Sequence, residues 1–247
     1  MPGLAPVRVA LEGITKAYPG VVANDGISLD LRAGEIHAVV GENGAGKTTL
    51  MGILYGLLRP DAGRVLIDGR AVELQSPRDA LAAGIGYVQQ HFSLIPTLTV
   101  AENLVLGLRA GSAPIGLREG EAAVRRLSER YGLAVEPGAR VEDLGVGRQQ
   151  RAELLKALAR DARILILDEP NSLLTPQEWD ELAGILRGLA DGGAGLFLIS
   201  HKLEEVLRVA DRVSVLRRGR LVTTVAAGET SESKLAELMV GRLRDSG

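Results

Sequence analysis

The residues from Gly41 to Thr48 read Gly-Glu-Asn-Gly-Ala-Gly-Lys-Thr and fit the spacing G-x-x-x-x-G-K-[ST]. Glycines let the backbone curl so that successive N–H groups point at one anion, and a helix opening behind them adds the positive end of its dipole. Gly41, Glu42, Asn43, Gly44, Ala45, Gly46, Lys47, Thr48 and Thr49 are therefore expected to cradle a phosphate chain. In such a loop the Lys47 ammonium reaches the β- and γ-phosphates and the Thr48 hydroxyl ligates Mg²⁺. A second group stands where the apolar run Ile164–Leu167 ends in Asp168 and Glu169. Carboxylates at the C-terminal end of a buried strand lie where open α/β sheets bind their ligands. Asp168 suits a metal ion, held directly or through water, and Glu169 suits polarising or deprotonating an attacking water. Together the two groups describe Mg²⁺-assisted cleavage of a nucleoside triphosphate.

Such residues need strands that end along one edge and a helix that starts there. Short β-type runs occur at Val7–Leu11, Gly26–Leu31, Glu35–Val40 and Arg64–Asp68, the last followed by the turn Asp68-Gly69. Helical spacing from Lys47 through Leu50, Ile53, Leu54 and Leu57 predicts a helix directly behind the phosphate loop. From about residue 91 to 160 the pattern is mainly helical, with Val124, Leu127 and Tyr131 on one face and Leu154, Leu155 and Leu158 on another. Between these, Gly132–Gly147 reads as loop. Ile164–Leu167 and Leu196–Ile199 are continuous apolar runs, the pattern of strands buried on both faces of a parallel sheet. Pro176–Leu189 reads as a helix with Thr175 as N-cap and Pro176 at its first position. A further helix and two strands around Arg218-Gly219 follow. The expectation is an α/β fold in a single domain over residues 1–247. It has a parallel core, an N-terminal antiparallel β layer and an inserted α-helical subdomain at about 91–160.

Bulk composition narrows the classes. Of 247 residues 46% are hydrophobic but only 3% aromatic, so the core must be aliphatic. A net charge of −2 supplies no global field toward nucleic acid or anionic lipid, and nucleic acid is not expected as a partner. The absence of cysteine excludes disulfides and thiolate metal sites and fits a reducing compartment. Met1–Pro6 has no secretion-signal character, and no apolar run approaches the roughly 18–20 residues that span a bilayer. A soluble, cytoplasmic protein is expected, with any membrane role supplied by a partner.

Four further segments make nearly the whole chain resemble the ATP-binding cassette (ABC) family, whose members are P-loop NTPases with a RecA-like core. Tyr18 matches the aromatic that stacks on adenine in that family. Gln90, in Ile85-Gly86-Tyr87-Val88-Gln89-Gln90-His91-Phe92, matches the glutamine that contacts Mg²⁺ and the attacking water, with Gln89 as the competing register. Leu144, Gly145, Val146, Gly147, Arg148 and Gln149 occupy the family's signature position, and His201 matches the switch histidine that contacts the γ-phosphate. His37 reads instead as a packed core residue and His91 as a loop neighbour of Gln90. The resemblance implies ATP and Mg²⁺ as cofactors, Glu169, His201 and Gln90 as catalytic residues, and Thr48, Gln90 and Asp168 around the metal. It also implies that the signature of an opposing cassette, self or paralogue, completes each ATP site. The further partners it implies are transmembrane permease subunits and, indirectly, an extracytoplasmic substrate-binding protein. They would hold the chain at the cytoplasmic face of the cell membrane.

The wording is most similar to the N-terminal cassette of bacterial importers for simple sugars and nucleosides, through Val21–Gly26, Ile53–Leu57 and Thr99–Asn103. Leu174-Thr175-Pro176-Gln177-Glu178 leans to the nucleoside branch. Those importers carry two cassettes in one chain. This one stops after Met239-Val240-Gly241-Arg242, about where a linker would begin, as a natural half-length subunit, a truncated product or an excised domain would. Two positions depart from the family: Gly145 stands where Ser is usual, and Asn171 where Thr is usual. Gly145 lacks a hydroxyl for the partner's γ-phosphate, which leaves a binding-only cassette as one alternative and a non-transport ABC ATPase as another. In the family a groove beside the glutamine loop receives a permease helix. Here Phe92, Leu94, Ile95 and Leu98 of His91–Leu108 either offer an exposed apolar patch to it or pack the subdomain hinge.

Overall fold

The computed structural model describes residues 5–108 and 116–241. Residues 1–4 of the N-terminal stretch, 109–115 within the helical stretch and Arg242 of the linker position lie outside the described residues. The strands are Val7–Tyr18 (β1), Val21–Arg32 (β2), Ile36–Val40 (β3), Ala62–Ile67 (β4), Arg70–Val72 (β5), Ile85–Val88 (β6), Ile164–Asp168 (β7), Gly195–Ile199 (β8), Arg212–Arg217 (β9) and Arg220–Ala226 (β10). The α-helices are Lys47–Leu54 (α1), Pro77–Ala82 (α2), Val100–Leu108 (α3), Leu117–Tyr131 (α4), Val146–Leu158 (α5), Pro176–Asp191 (α6), Leu203–Val209 (α7) and Glu232–Val240 (α8).

Two sheets form the frame. An antiparallel sheet runs β2-β1-β4-β5, and a six-stranded sheet runs β10-β9-β3-β8-β7-β6 with only the β9–β10 pair antiparallel. The apolar runs are central strands of the second sheet because both their faces are covered. Along β7, Leu165 and Leu167 join one buried cluster while Ile164 and Ile166 join the other. Along β8, Leu196 and Leu198 alternate with Phe197 and Ile199 in the same way. The first cluster packs against α5 and α6, the second against α1 and the antiparallel layer. Burying one such aliphatic side chain contributes about 1.5–3 kcal/mol, so the positions of the strand ends are strongly enforced.

Some expectations needed adjustment. The spacing behind the phosphate loop predicts a helix through Leu57, but α1 ends at Leu54. Gly56 takes φ +72°, and a Cβ there would lie 2.4 Å from the Ser76 carbonyl oxygen, so the chain turns away and leaves Leu57 51% exposed. β1 and β2 extend well past the runs seen in sequence because each is the other's ladder partner from Val7↔Arg32 to Tyr18↔Val21. Local chemistry did place several ends. Asp68 (φ 47°) and Gly69 (φ 79°) turn β4 into β5, the left-handed pair that a two-residue hairpin uses. Thr175 caps α6 in a capping box with Glu178, and Pro176 stands at the first turn.

Candidate nucleotide-binding site

The phosphate loop joins β3 to α1, and the fold leaves it no room for side chains. A Cβ on Gly46, at φ 102°, would lie 2.2 Å from the Ala23 carbonyl oxygen, and one on Gly41 would lie 2.4 Å from that of Leu216. Only glycine fits these two close approaches. Gly46 caps α1 without a side-chain hydrogen bond, and the first turn of the helix carries no acidic residue, so its amides remain available to an anion. The Lys47 ammonium donates to the Gly41 carbonyl at 2.7 Å and the Glu42 carbonyl at 3.1 Å. Burial lowers its pKa, opposed by the nearby Glu169 and Asp168 carboxylates.

Parallel pairing of β7 with β8 brings the acidic strand end to this loop. A cleft of about 610 Å³ is lined by Asn43, Gly44, Ala45, Gly46, Lys47, Thr48 and Thr49 of the loop and α1, and by Gln90, Asp168, Glu169 and His201. Glu169 has φ 47°, a left-handed conformation that costs a non-glycine residue about 1–3 kcal/mol. Its amide is held by the Ile199 carbonyl at 2.9 Å, and the turn aims the carboxylate across the cleft. One carboxylate oxygen accepts from Gln90 Nε2 at 3.3 Å, and the other lies 3.0 Å from His201 Nδ1. The sequence left two registers for the glutamine; Gln90 lines this cleft, while Gln89 lines a separate groove. Burial raises the Asp168 carboxyl above the usual carboxylate range, opposed by a 2.7 Å hydrogen bond from the Tyr87 hydroxyl.

Other sequence candidates lie elsewhere. Tyr18 ends β1, 39% exposed and outside the cleft lining, although its ladder partner Val21 does line it. Gly41 and Glu42 contribute carbonyls to Lys47 rather than cleft wall. None of Leu144, Gly145, Val146, Gly147, Arg148 and Gln149 lines the cleft. They form the N-terminal end of α5, where Gly145 is the cap, Gly147 packs against Glu178, and Gln149 folds back onto the Leu144 carbonyl at 2.8 Å. The apolar stretch after the glutamine loop divides: Leu94 is buried in the core cluster, Ile95 is 45% exposed, and Phe92 and Leu98 are half-buried. The groove beside it, about 240 Å³, is edged by Tyr55, Tyr87, Ser93, Glu153, Lys156 and Arg160, so its wall is largely polar and aromatic rather than an apolar patch.

Two contacts that hold the candidate site have no motif in the sequence. Asn24, fully buried in β2, donates to the Gly46 carbonyl at 3.0 Å and so pins the phosphate loop. Tyr87 reaches Asp168 from β6. Their only signals were an amide inside a strand and an aromatic side chain in a chain that has few.

A parallel sheet with a phosphate loop and paired carboxylates along one edge defines the P-loop nucleotide-binding class. Solved structures agree on the fold. A nucleotide-free ATP-binding cassette of an ABC transporter superposes with TM-score 0.81 over 95% of both chains, at 22% identity. A cassette from Clostridium perfringens, part of an ABC transporter complex, gives TM-score 0.80 over 96% of this chain and 94% of that one, at 26% identity. The chain belongs to the ABC transporter family: the family model of that description matches residues 24–172. It is 49% identical to a glucose import ATP-binding protein of Haloferax volcanii, over 94% of this chain and 48% of that protein. It is also 49% identical to a nucleoside import ATP-binding protein of Lactococcus lactis, over 93% and 46%. A ribose import ATP-binding protein of Streptomyces avermitilis is 48% identical over 94% and 44%. The chain thus spans about half the length of the curated relatives it matches. Among the described residues no helix is long and apolar enough to cross a membrane.

Proposed function

We propose that this chain is the ATP-hydrolysing unit of a membrane importer for nucleosides or simple sugars, acting as one half of a head-to-tail pair of cassettes. The observation that carries the hydrolytic reading is the Glu169 carboxylate held between Gln90 and His201 at the mouth of the phosphate loop. A carboxylate so placed takes the proton of an attacking water, while the loop amides and Lys47 hold the phosphates. His201 and Gln90 fix the direction in which Glu169 points. The donors present suit Mg²⁺: the Thr48 hydroxyl, the Gln90 amide and the Asp168 carboxylate are hard oxygen ligands. Among the described residues no group of three or more His, Cys, Asp or Glu side chains is placed to hold a metal ion. When bound, that ion neutralises charge developing on the phosphates.

The pairing is supported by the separation of Gly145–Gln149 from the chain's own cleft. The first turn of α5 carries no acidic residue of its own, although the Gly147 amide is already held by the Glu178 carboxylate of α6; this helix N-terminus is the surface offered to a second cassette's γ-phosphate. The importer reading rests on the relatives named for glucose, nucleoside and ribose import. Permease subunits would seat on the Tyr55–Arg160 groove and keep the chain at the cytoplasmic membrane face.

The test is Mg-ATPase activity of the purified chain across a concentration series, with Glu169→Gln as the blank. Activity per molecule rises with concentration and disappears in the blank if the chain pairs with itself. Turnover that Glu169→Gln leaves intact refutes the assigned base. ATP binding without turnover, even beside a second intact cassette and the permease, supports a binding-only cassette in its place.

A further inference from the structure

Asp168 is buried at the end of β7, 8% exposed, and it needs a fixed orientation if one of its oxygens is to face the cleft. Among the described residues, one side chain donates a hydrogen bond to it: the Tyr87 hydroxyl, 2.7 Å from Oδ2. The other carboxylate oxygen receives none. Tyr87 stands on β6, whose parallel register with β7 (Tyr87↔Ile166, Val88↔Leu167) puts the ring alongside the acidic strand end. On the other side the ring meets Tyr55 edge-on, with centroids 5.1 Å apart, at the wall of the groove beside the glutamine loop. Phenylalanine would make that ring contact equally well. The hydroxyl is therefore the part of Tyr87 that packing does not explain, and Asp168 is the group it serves.

Building on the proposed function, we infer that Tyr87 is a positioning residue for the metal carboxylate: its hydroxyl clamps Asp168 Oδ2 and leaves the opposite oxygen directed to the cation beside the nucleotide. A carboxylate held by one charge-assisted bond loses little further freedom when it binds a cation, so the clamp strengthens the metal-dependent part of ATP binding. It should leave the phosphate loop's own affinity for ATP untouched, because Tyr87 does not line that loop.

The test is titration calorimetry of the full chain with ATP, once with Mg²⁺ and once with EDTA, for the native protein and Tyr87→Phe. Tyr87→Phe is expected to match the native affinity in EDTA and to lose about tenfold of the affinity gained from Mg²⁺. In an Asp168→Ala background the same change should have no further effect. An unchanged Mg²⁺ gain in Tyr87→Phe overturns the inference, as does an equal loss in EDTA and Mg²⁺, which would mark a merely structural hydroxyl. A full Tyr87→Phe effect surviving in Asp168→Ala also overturns it. If the native chain binds no ATP in either buffer, the functional reading fails and this inference with it.

Discussion

Asn171 lies buried, 1% exposed, between the two turns that carry Glu169 and His201. Its Nδ2 donates to the Ser200 hydroxyl at 3.0 Å and to Glu205, while its backbone carbonyl accepts from Lys202 Nζ at 2.8 Å. These bonds tie the turn after Glu169 to the turn that carries His201. A Thr at this position has a single hydroxyl donor, so the amide does work that the family's usual residue does not. Asn171→Ala removes one donor from Ser200 and one from Glu205, both still served by Lys202, and takes away the acceptor of the buried Ser200 hydroxyl, which typically costs about 1–3 kcal/mol. The expected outcome is a matching loss in denaturant-unfolding stability, with turnover falling more than ATP affinity because His201 moves off Glu169. Equal stability of the two proteins would show that the cluster re-pairs without the amide.

At the level of helices, α5 begins at a glycine that caps it poorly. Gly145 has φ −60° and ψ 157°, ordinary N-cap geometry, but no side chain to meet the amides of the first turn. No atom lies within 4 Å of a Cβ built there, so serine fits without strain. Gly145→Ser is expected to raise stability by a few tenths of a kcal/mol, seen as a small rise in melting temperature. In a defined cassette pair it also returns a hydroxyl to the surface proposed to meet the other chain's γ-phosphate. One such donor in a dry site contributes about 2–4 kcal/mol to the transition state, so the ATPase rate of that pair should rise. An unchanged rate would remove Gly145 as a cause of weakness. Gly147 is constrained in the opposite way, since a Cβ there would lie 2.7 Å from Glu178 Oε1.

For the molecule as a whole, the largely apolar layer between the two sheets is crossed by a buried polar contact. His37 of β3 makes it, with Nδ1 2.7 Å from the Asp30 carbonyl of β2 and Nε2 2.8 Å from the Ser214 hydroxyl of β9. A carbonyl can only accept, which places the proton on Nδ1 and makes Ser214 the donor to Nε2. Burial, helped by the Arg212 guanidinium, pushes the His37 pKa down from 6.5 to about 4. Above pH 6.5 neither folded nor unfolded chain carries this proton. Below it the unfolded chain takes up the proton first, so stability falls with pH and continues to fall until about pH 4. The loss is about 1.4 kcal/mol per pH unit, roughly 3 kcal/mol in all. Urea midpoints measured from pH 7 to 4 should therefore fall more steeply for the native chain than for His37→Gln, which has no proton to take up. Parallel slopes would mean that His37 is not the titrating group.

Much of the site was legible because its determinants are contiguous. The phosphate loop is a short run whose glycines and lysine are neighbours in the chain, and Asp168 and Glu169 follow directly on the strand that presents them. The N-cap at Thr175 and the turn at Asp68-Gly69 are likewise local, since their hydrogen bonds and positive φ values are satisfied within a few residues. Contacts across strands were not legible. Tyr87 meets Asp168, Asn24 meets Gly46 and Asn171 meets Ser200 through the register of neighbouring strands and the turns that follow them. No spacing in the chain encodes that register. The same holds for the end of α1, which stops where Gly56 meets Ser76, and for Leu94, which the core claims while its neighbour Ile95 faces out. Residue types and their local spacing define the chemistry on offer. Which distant side chain steadies each reacting group depends on how aliphatic strands pack, and many aliphatic sequences would satisfy that packing equally well.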